Sequence, residues 1–416
     1  MNRLLIKHIS QIATPCGYAL LKGEEMNHIH CISDGAIYME GDTIRYVGTT
    51  KDILKKVDEK ECEVMLAEGK CAIPGFVDSH THFLFGGYRQ DEFVERVNKT
   101  PYEVIMKRGG GIQSTVKATR NTSLEELIKE GSKRIKKMME QGVTTLEGKS
   151  GYGLDDITER RQLEAMKRLN EEEAVSIVPT YLGAHSIPHD YEGKAEEYVD
   201  FMLNKVLPII SEQGLAKFCD VFCEEGVFSV EQSEALLWGA KQLGLKVKIH
   251  ADELTGLGGA ELAARLGAQS ADHLLMASEN GILELAASNT VATLLPATAF
   301  CLNKPYANAR KMIDRGCAVA LASDFNPGSC FSSSIPLLFA LAVLKMNMTI
   351  EEALCALTLN GAAALDLAGI IGSIQEGKKA DIVLLEYPDY RFLAYHTASQ
   401  LVDTVIKNGT MIYQKK

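Results

Sequence analysis

No apolar run in this 416-residue chain is long enough to cross a membrane; the nearest approach, residues 335–343, is too short. The opening Met-Asn-Arg-Leu-Leu-Ile-Lys-His is likewise too brief for a secretion signal. Positive charge is in deficit. Forty-four Lys and Arg face 55 Asp and Glu, and a net charge of −11 repels phosphate backbones, which excludes nucleic acid as a partner. The ten cysteines never form a Cys-x-x-Cys, and several sit inside apolar runs, so the expectation is reduced thiols in a cytoplasmic protein. Gly109-Gly110-Gly111 neither follows a strand nor opens a helix with Lys-Ser/Thr, so it is not a phosphate loop. What remains is 46 % apolar and 24 % charged, an ordinary globular balance with enough length for one large core and a smaller second one.

Residues 1–70 read as short strands and turns, with a hairpin around Gly41-Asp42. After a long excursion over 83–122 the pattern becomes regular. Leu124, Leu127, Ile128, Ile135, Met138 and Met139 recur at helical spacing, Gly142 ends the helix, and 143–146 reads as a strand. Strands at 175–182, 218–222, 246–249, 270–272, 290–295 and 318–322 then alternate with helices. Alternating units of this kind imply a parallel sheet, and about eight of them fit a closed α/β barrel of the (β/α)8, TIM-like type over 71–371. An open doubly wound sheet would carry a glycine fingerprint after its first strand, and none is present. The helix over 334–345 is apolar nearly all round and should be buried. Thr349 and Glu352 form a capping box for the next helix. Strand-like segments return in 372–416 and are expected to join 1–70 in one small β domain.

In such a barrel the active site lies at the carboxyl ends of the strands. The polar residues expected there are His80 and His82 on strand one, Glu147 and Lys149 on two, and His185 on three. Glu224 and Glu225 follow on four, His250, Asp252 and Glu253 on five, and His273 on six. Strand seven offers Thr298, and strand eight Asp324; His189 is a further histidine past a strand end. Residues two apart project from one side of a strand, so His80 and His82 leave together. His80, His82, His250 and Asp324 supply three nitrogens and a carboxylate for one ion, with room for water. A bound ion turns water into a nucleophile near neutral pH. Asp324 is placed to take its proton, His273 to polarise a carbonyl, and Glu253 to hold water or return a proton to a leaving nitrogen. His28-Ile-His30 shows the same spacing as His80-Thr-His82, but no strand end gathers other ligands around it.

His80-Thr-His82, His250, His273, Ser323-Asp324 and the tail Gly372-Ser-Ile-Gln-Glu-Gly-Lys-Lys-Ala-Asp-Ile-Val383 resemble the amidohydrolase superfamily. Its two-metal members carry a modified lysine at the end of strand four, where this chain has Phe222-Cys-Glu-Glu225; a mononuclear site follows. Within the superfamily the chain is most similar to the imidazolonepropionase family of histidine degradation. The matching stretches include Phe76-Val-Asp-Ser-His-Thr-His-Phe83, Glu147-Gly-Lys-Ser-Gly-Tyr-Gly153, Thr180-Tyr-Leu-Gly-Ala-His185, His250-Ala-Asp-Glu253 and Ser323-Asp-Phe-Asn-Pro-Gly328. The resemblance implies hydrolysis of 4-imidazolone-5-propanoate to N-formimidoyl-L-glutamate, a small-molecule substrate, and a homodimer. Arg89 offers a fork for the propionate carboxylate. Tyr152 and His185 are expected to contact the ring or the carboxylate, and Glu253, Asn326, Gly328 and Ser329 the remaining polar atoms. Family members usually have Thr where this chain has Ser329, which keeps the hydroxyl. The donor set suits one zinc or iron ion. A rival reading, another mononuclear amidohydrolase such as a cyclic amidine deaminase, uses the same activated water.

Overall fold

The computed structural model describes residues 3–100, 104–105 and 108–416. Eight parallel strands follow one another in sequence and in space: Phe76–Asp78, Val143–Lys149, Ser176–Ala184, Phe218–Cys223, Lys246–Ala251, Ser270–His273, Val291–Leu294 and Val319–Leu321. They are called strands one to eight below. The sheet closes between strands one and eight just past their ends. His82 N donates to Phe325 O at 2.9 Å and Asp324 N donates to His80 O at 3.0 Å. Residues 80–82 and 324–325 are thereby locked side by side, which fixes the backbone under three of the expected ligands.

The helices form by ordinary means. Leu124–Glu140 begins on the Ser123 side chain and buries Leu127, Ile128, Ile135 and Met138 at helical spacing. Val230–Gln242 and Ile350–Ala356 both open on capping boxes, from Ser229 and from Thr349 with Glu352. Ile335–Lys345, expected to be buried throughout, buries Ile335, Pro336 and residues 338–342, while Leu344 in its last turn is exposed. The excursion after strand one, read as a long irregular connection, contains the helices Gln90–Val97 and Ile112–Arg120. The triple glycine falls between them, and Gly111 (φ 73°) caps the second.

A second, separate sheet draws on both chain ends. Its strands run Thr410–Gln414, Val402–Lys407, Ile382–Leu385, Cys71–Pro74, Arg3–Pro15, Ile29–Glu40 and Thr43–Thr49, with Glu63–Leu66 pairing alongside Arg3–Pro15. The hairpin at Gly41-Asp42 joins two of them. Cys71–Pro74, expected at the start of the barrel, pairs with Ile382–Leu385 and with Gln11-Ile12 instead. Gly75 makes the break between the two sheets. A side chain there would collide with Thr144 on strand two.

Candidate metal centre and active site

Three imidazoles meet at the carboxyl ends of strands one and five. His82 Nε2 lies 3.3 Å from His80 Nε2 and 3.4 Å from His250 Nε2. Asp324 Oδ1 is 3.6 Å from both His80 Nε2 and His82 Nε2. All four side chains are buried. Burial first, then the charges of neighbouring histidines and Lys149, pushes His80 and His82 well below the ordinary histidine range, so both are neutral. Nitrogen lone pairs turned on one another repel unless a cation sits among them. The residues therefore fit a metal ion, and His80, His82 and His250 form a group whose donor atoms all lie within 4.8 Å of one another, as do His80, Glu147 and Asp272 in the layer beneath.

Below this centre lies a charged layer that sequence reading did not assemble. His80 Nδ1 is 2.6 Å from Asp272 Oδ2, and His250 Nδ1 is 3.0 Å from Asp220 Oδ2. Such carboxylates fix the ring tautomer and turn the other nitrogen toward a ligand. Lys149 Nζ bonds Asp220 (2.7 Å) and Glu147 (2.9 Å), while Lys248 Nζ bonds Glu147 (2.8 Å) and the Ser79 carbonyl (2.9 Å). None of these side chains touches solvent. Burial works to raise Asp220, but His250 and Lys149 outweigh it and hold its carboxyl well below the ordinary range. For Lys149, burial is overcome by Asp220, Glu147 and Asp272, which keep the ammonium charged. Two lysines face the four buried carboxyl groups of Glu147, Asp220, Asp272 and Asp324, an excess of acidic groups, and burial raises Asp272 and Asp324. A divalent cation offsets that excess. The signal for this layer was present in the sequence. Glu147, Lys149, Asp220, Lys248 and Asp272 are charged residues inside short strands that are buried along almost their whole length.

Asp324 leaves strand eight with φ 48°, and Thr298 Oγ1 donates to its Oδ2 at 2.7 Å, leaving Oδ1 toward the imidazoles. Burial lifts this carboxyl to about 6. His273, at the end of strand six, is held at φ 80°, a strained conformation for a bulky residue. Its Nε2 is 3.6 Å from Glu253 Oε2, and its buried Nδ1 has no partner among the described residues. Burial, with the charges of Asp324 and Glu224, pushes the Glu253 carboxyl up to about 8. Glu253, His273 and Thr298 border a cavity of about 180 Å³ otherwise walled mainly by Leu254, Leu275, Met276, Leu295 and Leu302.

The other residues singled out in the sequence take two kinds of position. His185 stacks on His82 (centroids 4.9 Å apart, 17° between planes), with Nδ1 3.0 Å from the Gly151 carbonyl and its titration lowered by burial to about 3. Tyr152 is buried against both, 5.4 Å from His185 and 5.9 Å from His82. Arg89 places its guanidinium against Gly328, where a Cβ would collide with Nη1. Its Nε and Nη2 are held by Glu92 at 2.9 and 2.7 Å. Asn326 folds its own loop: Oδ1 accepts from the backbone of Gly328 (2.9 Å) and Ser329 (2.7 Å), and Nδ2 donates to Ser329 Oγ (2.8 Å).

Several strand-end candidates stand elsewhere. Asp252 accepts four backbone N–H groups at residues 257–260 and anchors the helix Gly259–Leu266. Glu224 organises the turn at Leu254 and Thr255. His189 is exposed on a turn, beside Glu192 rather than the metal centre. His28 and His30 join no metal-competent cluster among the described residues.

The sequence profile of the amidohydrolase family matches residues 71–412. An imidazolonepropionase of Clostridium tetani is 53 % identical over 414 residues, 100 % of this chain and 99 % of the relative. One from Parabacteroides distasonis is also 53 % identical, over 99 % of each chain. Among solved structures, Escherichia coli guanine deaminase superposes with a TM-score of 0.75 over 100 % of both chains at 15 % identity. An atrazine chlorohydrolase from Arthrobacter aurescens, solved with zinc, gives 0.71 at 14 % identity over 99 % of this chain and 95 % of its own. These distant likenesses show the fold; the whole-length identity shows the lineage. The chain belongs to the amidohydrolase family and, within it, to the imidazolonepropionases.

Proposed function

We propose that the chain hydrolyses the ring amide of 4-imidazolone-5-propanoate to N-formimidoyl-L-glutamate at one zinc or iron ion held by His80, His82, His250 and Asp324. The observation that carries this reading is the convergence of three imidazole Nε2 atoms and Asp324 Oδ1 at the open end of the barrel. The names of relatives identical at half of all positions supply the substrate. A divalent transition metal, when bound, supplies Lewis acidity and a water activated near neutral pH.

The protein's own groups do the rest. Asp324, with a carboxyl raised to about 6 and Oδ1 toward the centre, accepts a proton from the attacking water. His273, neutral and fixed at the rim, directs Nε2 at the carbonyl oxygen and stabilises the charge that develops there. Glu253, protonated near neutrality, gives its proton to the leaving ring nitrogen. His185 and Tyr152 present flat faces to the imidazolone ring. Arg89 receives the propionate carboxylate beside the Gly328 backbone, exchanging part of its pairing with Glu92 for the substrate. Asn326 and Ser329 hold the loop that shapes this end of the pocket and offer their polar atoms to the substrate.

The division we propose is a catalytic barrel and a composite β domain formed by 1–74 and 372–416, the strand Cys71–Pro74 going with the second sheet. The reading also includes a homodimer, in line with the family resemblance, and a cytoplasmic setting, in line with ten free thiols. Incubation of purified protein with the imidazolone is the test. Formation of formimidoylglutamate supports the reading. Ammonia release from guanine or triazines with no ring opening of the imidazolone sinks it.

A further inference from the structure

The turn 151–154 joins strand two to the helix Asp156–Glu172 and carries Tyr152 into the site. Its backbone bends sharply, with φ 100° at Gly151 and 53° at Leu154. All four of its N–H groups are received by two side chains of that helix. Glu159 Oε1 accepts from Gly153 (2.8 Å) and Leu154 (2.9 Å), and its Oε2 accepts from Gly151 (2.9 Å). Gln162 Oε1 accepts from Tyr152 (3.3 Å). Glu159 and Gln162 stand three apart on one helix face, and both are buried. No lysine, arginine or histidine among the described residues pairs with Glu159; burial raises its carboxyl, and the backbone donors act against that. A buried acid without a counter-ion is costly. A row of N–H groups in a tight turn is a cradle for an anion, and here the anion is the protein's own. The Gly151 peptide carries the effect further. Its N–H goes to Glu159, and its carbonyl accepts from His185 Nδ1 at 3.0 Å, which fixes the tautomer and aim of that ring. A Cβ at Gly151 would come within 2.9 Å of His185 Nδ1 and of the Leu182 carbonyl, so only glycine admits this approach.

We propose that Glu159 is a positioning residue for substrate binding: its carboxyl group gathers the N–H groups of the 151–154 turn and so sets Tyr152 and His185 against the ring of the substrate. Neither close relative of the side chain can do the same. Glutamine has a single acceptor oxygen, and its NH2 group would leave one of the N–H donors of the turn facing another donor. Aspartate keeps the charge but is one methylene short of the turn. The consequence for substrate rests on Tyr152 and His185 binding the ring as proposed above; the anchoring of the turn does not.

The test uses metal-loaded, full-length protein. Glu159→Gln should raise KM for the imidazolone about tenfold while kcat stays within about threefold and the metal content is unchanged. In a Tyr152→Ala/His185→Ala background the same substitution should leave kcat/KM nearly as it was, because the groups it acts through are gone. Glu159→Asp should resemble Glu159→Gln, and it carries the test if the glutamine variant does not fold. Amide hydrogen exchange supplies a readout independent of turnover. The peptide covering 150–155 should exchange roughly tenfold faster in either variant, with the barrel strands exchanging as before. Parent KM in both variants overturns the proposal, as does a loss confined to kcat. So does an equal fall in kcat/KM with and without Tyr152 and His185, or unchanged exchange over 150–155. If the parent protein never opens the imidazolone, the reading of function fails, and the exchange rates still decide whether Glu159 holds the turn.

Discussion

Replacing Asp272 with Asn tests whether the charged layer under the metal centre does more than fill space. Asp272 Oδ2 is 2.6 Å from His80 Nδ1 and within 3.6 and 3.7 Å of the Lys149 and Lys248 ammonium groups, all out of reach of solvent. Asparagine keeps the shape and can still accept from His80, but it removes an acidic group from the layer and makes His80 Nε2 a weaker donor. Carboxylates that support ligating histidines typically contribute 10- to 100-fold in metal affinity. Complete burial and the short contact place this one toward the upper end, about 2–3 kcal/mol in binding free energy. The fold should survive, because Lys149 and Lys248 retain Glu147 and Asp220 at 2.7–2.9 Å. Competition against a chromogenic chelator gives the affinity, and circular dichroism checks the fold. An affinity within twofold of the parent protein, with the fold intact, would refute the argument that buried charge tunes this site.

Other outcomes follow from the same geometry. Arg89→Ala should keep its metal while KM for the imidazolone rises roughly 10- to 100-fold, the worth of a charge-assisted hydrogen bond; normal kinetics would remove Arg89 from carboxylate binding. Gly328→Ala should mimic it more weakly, because the new methyl displaces only the end of the flexible Arg89 side chain; a stability loss with unchanged KM would count against that. Glu253→Gln should alter the pH dependence of stability in metal-free protein. The folded state holds a proton on Glu253 up to about pH 8, whereas an ordinary glutamate gives it up near 4.5. Between those values the parent protein therefore loses stability as pH rises, relative to the Gln variant, and the difference levels off above pH 8. Denaturant titrations across that range show it, and a constant difference would mean that Glu253 titrates normally.

The barrel was legible because its strands are short apolar runs between helical repeats, and the proposed ligands because each stands where such a run stops. His80, His82, His250 and Asp324 needed only the rule that strands end at one rim. Cys71–Pro74 was misassigned because a buried strand of the second sheet reads like a buried strand of the barrel, and only the pairing partners on either side of Gly75 tell them apart. The lysine–carboxylate layer went unassembled because attention fell on strand ends, while Lys248 and Asp220 lie within the strands. Asp252 and Glu224 looked catalytic by position. Their carboxylates are consumed by backbone N–H groups, which local sequence does not reveal. Thr298 gained its meaning only from the fold, which brings strand seven's following helix to Asp324.

Metal content measured beside imidazolone turnover, before chelation, after chelation and after metal is restored, reaches the central claim most directly. One ion per chain is expected, with activity that disappears with the ion and returns with it, and a His250→Ala variant lacking both. Undiminished ring opening by metal-free protein, or full metal content in His250→Ala, would contradict it.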